Sequence, residues 1–160
     1  MTKRKKPVVC ISFANTSDLA AIHAIDQECF GDYAMSRRWF SRHLMIEDGV
    51  VFAIVARCFT TKRVIGYAMA EFQGDQVMIM RLAVMPMHRR KGYGRHMLAQ
   101  IQVDAPPMVG LFYMTVPDNL LDAHLFFRGC GWYCTGVKKQ AFKKRGCDGY
   151  RFTTSPLSEQ

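Results

Sequence analysis

Arg81-Leu-Ala-Val-Met-Pro-Met-His-Arg-Arg-Lys-Gly-Tyr-Gly-Arg-His-Met-Leu-Ala-Gln-Ile101 is the stretch on which the reading of this chain turns. Residues 77–84, which lead into it, are apolar or β-branched apart from Arg81, the composition of a strand. Pro86 ends that strand, because it has no N–H to give to a ladder. Gly92 and Gly94 punctuate a basic turn. Leu98 and Ile101 then recur on one side of a helix. The stretch therefore reads as strand, glycine-rich basic turn, helix.

That arrangement is suited to catching an anion. The first N–H groups of a helix have no acceptor within it, and the helix dipole favours negative charge there. Glycine lets a bulky anion approach the backbone with no Cβ in the way. Arg89, Arg90, Lys91 and Arg95 bring full positive charges to the same point, and a diphosphate is the natural guest. The competing reading is a surface turn with solvated cations, but strand, proline, turn and helix all agree with the first. Other phosphate motifs fit less well. No Gly-Lys-Ser/Thr follows the turn, and no third glycine stands at dinucleotide-fold spacing.

Val84, Pro86, Arg89, Gly92 and Gly94 meet every fixed position of the pattern Val-x-Pro-x-x-Arg/Gln-x-x-Gly-x-Gly/Ala. In this the sequence resembles the acetyl-coenzyme A motif of the GNAT family of N-acetyltransferases. Residues 17–30, Ser-Asp-Leu-Ala-Ala-Ile…Ile-Asp-Gln-Glu-Cys-Phe, resemble the first helix of the branch that acetylates protein N-termini, the ribosomal-protein alanine acetyltransferase type. Residues 123–132, with Phe127, Gly131 and Trp132, resemble the family's later helix and its closing glycine-aromatic turn. The resemblance implies a mixed, mostly antiparallel twisted α/β sheet flanked by about four helices, with acetyl-coenzyme A as cosubstrate.

Composition sets wider bounds. A chain of 160 residues suits one domain with one core, so residues 1–160 are expected to form a single N-acetyltransferase domain with a basic tail at 1–6 and a C-terminal tail at 154–160. The formal charge of +9 favours anionic ligands. A polyphosphate uses the charges at the turn. Lys3–Lys6 and the cations of 138–145 remain over, as solvated surface or for an acidic partner such as a ribosomal surface. No specific nucleic-acid binding is expected. No signal peptide and no apolar run of membrane-spanning length is apparent. Cys10, Cys29, Cys58, Cys130, Cys134 and Cys147 are expected to be reduced, mostly buried thiols in a cytoplasmic protein. Cys130, Cys134, Cys147 and His124 lack zinc-site spacing, so no metal is expected.

In order, residues 8–13 read as a strand and Ser17 as the cap of a helix carrying Leu19, Ile22, Ile25 and Cys29 at helical spacing. A loop broken by Gly31 follows, then a second helix capped by Ser36. Strands are expected at 50–56 and 64–72, a tight turn at Gln73-Gly74-Asp75, and the motif. Beyond Pro106 and Pro107 come a strand at 110–116, a helix at 119–128, and strands at 131–137 and 149–153 around a basic loop at 138–148.

Acetyl transfer to an amine needs a held cofactor, donors for the thioester oxygen as it gains charge, a route for the amine's proton and an acid for the leaving thiol. The resemblance implies that Arg89, Arg90, Lys91, Gly92, Tyr93, Gly94 and Arg95 hold the diphosphate. It implies that Leu82, Ala83 and Val84 pair with the pantetheine through their backbone, and that Asn119 and Phe127 complete the cofactor site. The acid–base set departs from the branch. Phe127 stands where a tyrosine serves the leaving thiol, Thr115 where Glu or His is usual, and Leu120 nearest the asparagine that opens the late helix, with Asn119 one place early. Glu71, near the end of a central strand, and Tyr33, in the loop after the first helix, are the candidate catalytic residues. Asp32, Tyr113 and His124 stand behind them. The expected acceptor is a protein or peptide amine. A weak acyl-coenzyme A-binding sensor and a small-molecule amine acetyltransferase are the alternatives.

Overall fold

The computed structural model describes residues 8–44 and 49–155. The expected tail at 1–6, and all of the expected C-terminal tail past residue 155, lie outside the described residues. The elements are β1 (Val9–Phe13), α1 (Leu19–Phe30), α2 (Arg37–Leu44), β2 (Val51–Cys58), β3 (Val64–Gln73), β4 (Gln76–Val84), α3 (Tyr93–Asp104), β5 (Leu111–Pro117), α4 (Leu121–Gly129), β6 (Tyr133–Phe142) and β7 (Cys147–Thr153). The seven strands follow the order β1-β2-β3-β4-β5-β7-β6. β4 and β5 pair in parallel, while β1–β2, β2–β3, β5–β7 and β6–β7 are antiparallel.

The chain divides into two compact units, one holding Met1–Glu71 and Met80–Ala105, the other Phe72–Ile79 and Pro106–Gln160. In the first, β2 and β3 alternate by strand geometry. Ala53, Val55, Tyr67 and Met69 join Ile22 and Ile25 of α1 and Phe40 of α2 in one buried cluster, and α3 packs on β1 and β2. Ser36 caps α2 as expected, its hydroxyl accepting from the Trp39 amide. α1 departs from expectation. Asn15, not Ser17, is the capping residue: its side chain accepts from the Ser17 amide at 2.9 Å and its own amide donates to Asp18 at 3.1 Å. The exchange makes a capping box one turn ahead of α1.

In the second unit, β5 pairs with β7, and α4 lies over β6. Phe127, Trp132 and Phe152 pack as an aromatic cluster, with ring centroids 5.1 and 5.7 Å from Phe127. The expected basic loop at 138–148 is instead largely strand. β6 runs to Phe142, with Lys138 opposite Gly149 and Phe142 opposite Cys147. Only Lys143–Arg145 form a 3-10 turn. Charge marked this segment as loop, but β6 is an edge strand with most side chains in solvent, where lysines cost little. Asp148 pins the irregular stretch, accepting from Lys139 Nζ at 3.0 Å and from the Gln140 amide at 2.7 Å. The cysteines also differ from expectation. All six are free thiols, but only Cys58 is buried, and Cys10 and Cys134 are exposed.

A charged pair sits inside the first unit's core. Asp26 of α1 is fully buried. It accepts from Arg81 Nε at 2.7 Å and Nη2 at 2.6 Å, from the Tyr67 hydroxyl and from the Met35 amide at 2.6 Å. Burial, opposed by the charge of Arg81, pushes the Tyr67 hydroxyl far above its ordinary pKa. Removing one partner strands a buried charge. Arg81→Met should therefore lower the unfolding free energy by about 3–5 kcal/mol. Combining it with Asp26→Leu and Tyr67→Phe should recover much of that loss. Urea unfolding followed by tryptophan fluorescence checks both, and a triple variant no more stable than the single one would contradict this account.

Candidate active site

β4 delivers the chain to the turn and Pro86 stops it, starting a 3-10 helix over Pro86–His88. The Met85 amide donates to the Ile65 carbonyl at 2.9 Å, tying the strand end to β3. Gly66, next along β3, lies so close that a Cβ there would sit 2.9 Å from the Ala83 oxygen and 3.3 Å from Val84 Cγ2. The turn then takes two left-handed residues, Arg90 at φ +58 and Gly92 at φ +86. Gly92 precedes α3 directly and has no side chain with which to cap it. A Cβ at Gly92 would meet nothing within 4 Å. The backbone at the helix's positive end is thus open on the side where a side chain would otherwise stand.

Arg90, Lys91, Gly92, Tyr93 and His96 line an open groove of about 600 Å³ together with Val8 and Val9. Arg89 folds back onto the strand, its Nε donating to the Val84 carbonyl at 2.9 Å. Cys29 Sγ approaches the same oxygen at 3.5 Å. Burial raises that thiol's pKa against the opposing influence of Arg89. Desolvation, aided by the charge of Lys91, lowers the pKa of His88. Tyr93 is buried, so at the turn it offers backbone and not its ring. These features fit a polyphosphate: open backbone at a helix start, flanked by cations on flexible stems. A second groove, near Ser17, Arg57 and Arg63, fits less well, since Arg57 is already paired with buried Asp18 at 2.6 Å.

The model of the acetyltransferase (GNAT) family matches residues 19–132. The chain belongs to that family. Among curated proteins none matches. Solved structures share the fold at low identity. The ribosomal-protein-S18-alanine N-acetyltransferase of Escherichia coli aligns with a TM-score of 0.78 at 18% identity, covering 96% of each chain. Arabidopsis thaliana NAA60, solved with acetyl-CoA, gives 0.76 at 16%, covering 91% of this chain and 97% of its own. The spermidine/spermine N-acetyltransferase SpeG of Vibrio cholerae gives 0.70 at 17%, covering 91% of each.

In this GNAT chain the first unit brings Leu82, Ala83 and Val84 to the turn that holds Arg89 through Arg95. Tyr33 lies in a 3-10 turn after α1, and its carbonyl accepts from Arg81 at 3.4 Å, one residue before Leu82. Glu71 lies on β3 opposite Val51, half-buried. In the second unit Asn119 is exposed just ahead of α4, whose N-cap is Leu120, while Phe127 is buried in the aromatic cluster. His124 is spent on the Pro117 carbonyl at 2.8 Å and on ring contacts with Tyr150 and Phe152.

Sequence reasoning missed Arg81, Asp26 and Gly66. Asp26 did carry a signal, since it follows Ile22 and Ile25 on the apolar face of α1. An isolated glycine inside an apolar strand was the signal for Gly66. The turn also yields a test. Arg90 is a non-glycine residue held left-handed, a conformation that costs about 1 kcal/mol or more. Arg90→Gly should raise the thermal midpoint slightly while weakening retention of an anionic ligand. Calorimetry with and without coenzyme A reads both, and an unchanged midpoint would argue against strain at that residue.

Proposed function

We propose that the chain moves an acetyl group from acetyl-coenzyme A to an amine on a protein or peptide, at an N-terminus or a lysine. The observation that carries this is the turn itself: Gly92 at φ +86, open where its Cβ would be, at the start of a 12-residue helix and among Arg89, Arg90, Lys91 and Arg95, within the span matched by the family. Bound acetyl-coenzyme A supplies the acetyl group as an activated thioester. The chain's own residues hold and orient it and move a proton. The turn would take the diphosphate, and the backbone of Leu82–Val84 the pantetheine. Arg89 would leave the Val84 carbonyl to do so, exchanging a neutral acceptor for a charged one. Asn119 and Phe127 are proposed as further cofactor contacts, as the family resemblance implies. Glu71 and Tyr33 are the groups proposed to relay the amine's proton. Residues 138–148, at the tip of the β6–β7 hairpin, are proposed to meet the acceptor.

The neighbours do not choose the acceptor, since one is named for a ribosomal-protein alanine and another for spermidine and spermine. Phe127 favours a second reading, a weak enzyme or acyl-coenzyme A sensor, because it has no hydroxyl for a leaving thiol. No described helix is long and apolar enough to cross a membrane. With six free thiols, a cytoplasmic setting is the one proposed.

Free-thiol release from acetyl-coenzyme A against peptide amines, free lysine and polyamines tests the reading. Release with peptides supports it, and binding without release supports the sensor. Gly92→Val puts a β-branched residue at a left-handed φ and should cut acetyl-coenzyme A affinity by about a hundredfold or more while the fold survives. Wild-type affinity should fall with rising salt. Unchanged affinity in a folded variant, read by titration calorimetry, would remove the turn from the cofactor site. Phe127→Tyr should leave affinity within threefold and raise turnover if thiol departure limits the rate, since a placed acid is worth about a hundredfold. Turnover that collapses with binding intact would instead assign the apolar ring a role in shaping the acceptor pocket.

A further inference from the structure

The second unit holds a charged cluster that the cofactor does not use. Arg151 of β7 stands opposite Thr115 in the β5 ladder. Its guanidinium lies over the Tyr113 ring, 4.1 Å from the centroid. Nη2 donates to Gln76 Oε1 at 3.3 Å. The Tyr113 hydroxyl is in turn held by Gln73 Oε1. Stacking and one neutral hydrogen bond fix the plane of the fork without neutralising it. Nε is buried with no partner among the described residues. Gly149, two residues earlier on the same face of β7, makes room for the Thr115 methyl, which a Cβ there would meet at 2.5 Å. Tyr113, Thr115 and Arg151 therefore share one face of this unit's sheet.

The β6–β7 hairpin to which Arg151 belongs adds charge of the same sign. Lys138, Lys139, Lys143, Lys144 and Arg145 fall within eight residues. The hairpin's one carboxylate, Asp148, is committed to Lys139 and to the Gln140 amide, and those two bonds, the backbone one foremost, hold its pKa below the ordinary range. A preorganised guanidinium on a hairpin with surplus lysines is suited to carboxylates, and it repels cations.

We propose that the acceptor is acidic: a peptide amine followed closely by Asp or Glu, whose first carboxylate meets Arg151 and whose later ones are drawn in by Lys138, Lys143 and Lys144. This rests on the reading that the hairpin meets the acceptor. The test compares C-terminally amidated Ser-Glu-Glu-Ala, Ser-Gln-Gln-Ala and Ser-Lys-Lys-Ala, by thiol release and, separately, by the anisotropy of labelled copies. One charge-assisted contact predicts a kcat/KM about tenfold or more higher for the acidic peptide than for the neutral one. That preference should shrink with salt. Arg151→Gln should abolish most of the preference through KM, leaving the neutral peptide and acetyl-coenzyme A affinity unchanged. Lys143→Glu with Lys144→Glu, both on the exposed turn, should reduce it in a protein of unaltered thermal midpoint. Equal handling of the three peptides, or a preference for the lysine peptide, overturns the proposal. So does an Arg151→Gln variant that slows all three alike, which would make Arg151 a structural residue. If no peptide releases thiol but anisotropy still selects the acidic one, acetyl transfer to peptides is the claim that falls, and the acidic site stands.

Discussion

Asp26 is the point on which the first unit is hung. A carboxylate with no exposed surface is unfavourable unless every lone pair is used, and here β3, β4 and the loop after α1 each supply a donor to the Asp26 that α1 carries. The pair therefore dictates geometry as well as contributing to it. Arg81 cannot turn away, so the register of β4 is fixed one residue before Leu82. The Met35 amide cannot turn away either, so the segment carrying Tyr33 is held near the same strand. An apolar substitute could match the packing but would leave these four segments free to slide.

What could be read from the sequence was what the chain decides locally. Pro86, Gly92 and the cations around it lie within one short stretch, and their conformational preferences need no tertiary partner. The same holds for Ser36 and α2. Asp26 and Arg81 are 55 residues apart, and no local rule pairs them. Arg151 and Tyr113 are likewise joined only by the ladder between β5 and β7. The misread hairpin has a different cause: charge predicts solvent exposure, and an edge strand meets that condition as well as a loop does. The cap was misplaced because Asn15 and Ser17 are both good capping residues, and the reciprocal bond from Asp18, three positions beyond Asn15, puts the cap on the 3-10 turn that leads into α1.

The turn and the second unit's cation cluster answer two demands with related means. At the turn, open backbone and flexible cations suit a ligand carrying several charges, whose position is then fixed by the helix start. On β7, a single guanidinium is clamped by a ring, so its direction is set before anything arrives. The first arrangement favours capture, and under the proposed acceptor reading the second favours discrimination.

β6 closes one side of the sheet, and an edge strand presents a row of backbone groups to any other extended chain. Here that row is interrupted. The pairing of β6 with β7 shifts between Lys138 and Phe142, Gln140 departs from the strand at φ +47, and lysines flank the break. A second copy of the protein offering its own β6 would meet a kinked border of like charge. The lysines of this hairpin therefore also act as a guard against edge-to-edge aggregation, and under the proposed acceptor reading the same residues must satisfy solubility and recognition at once.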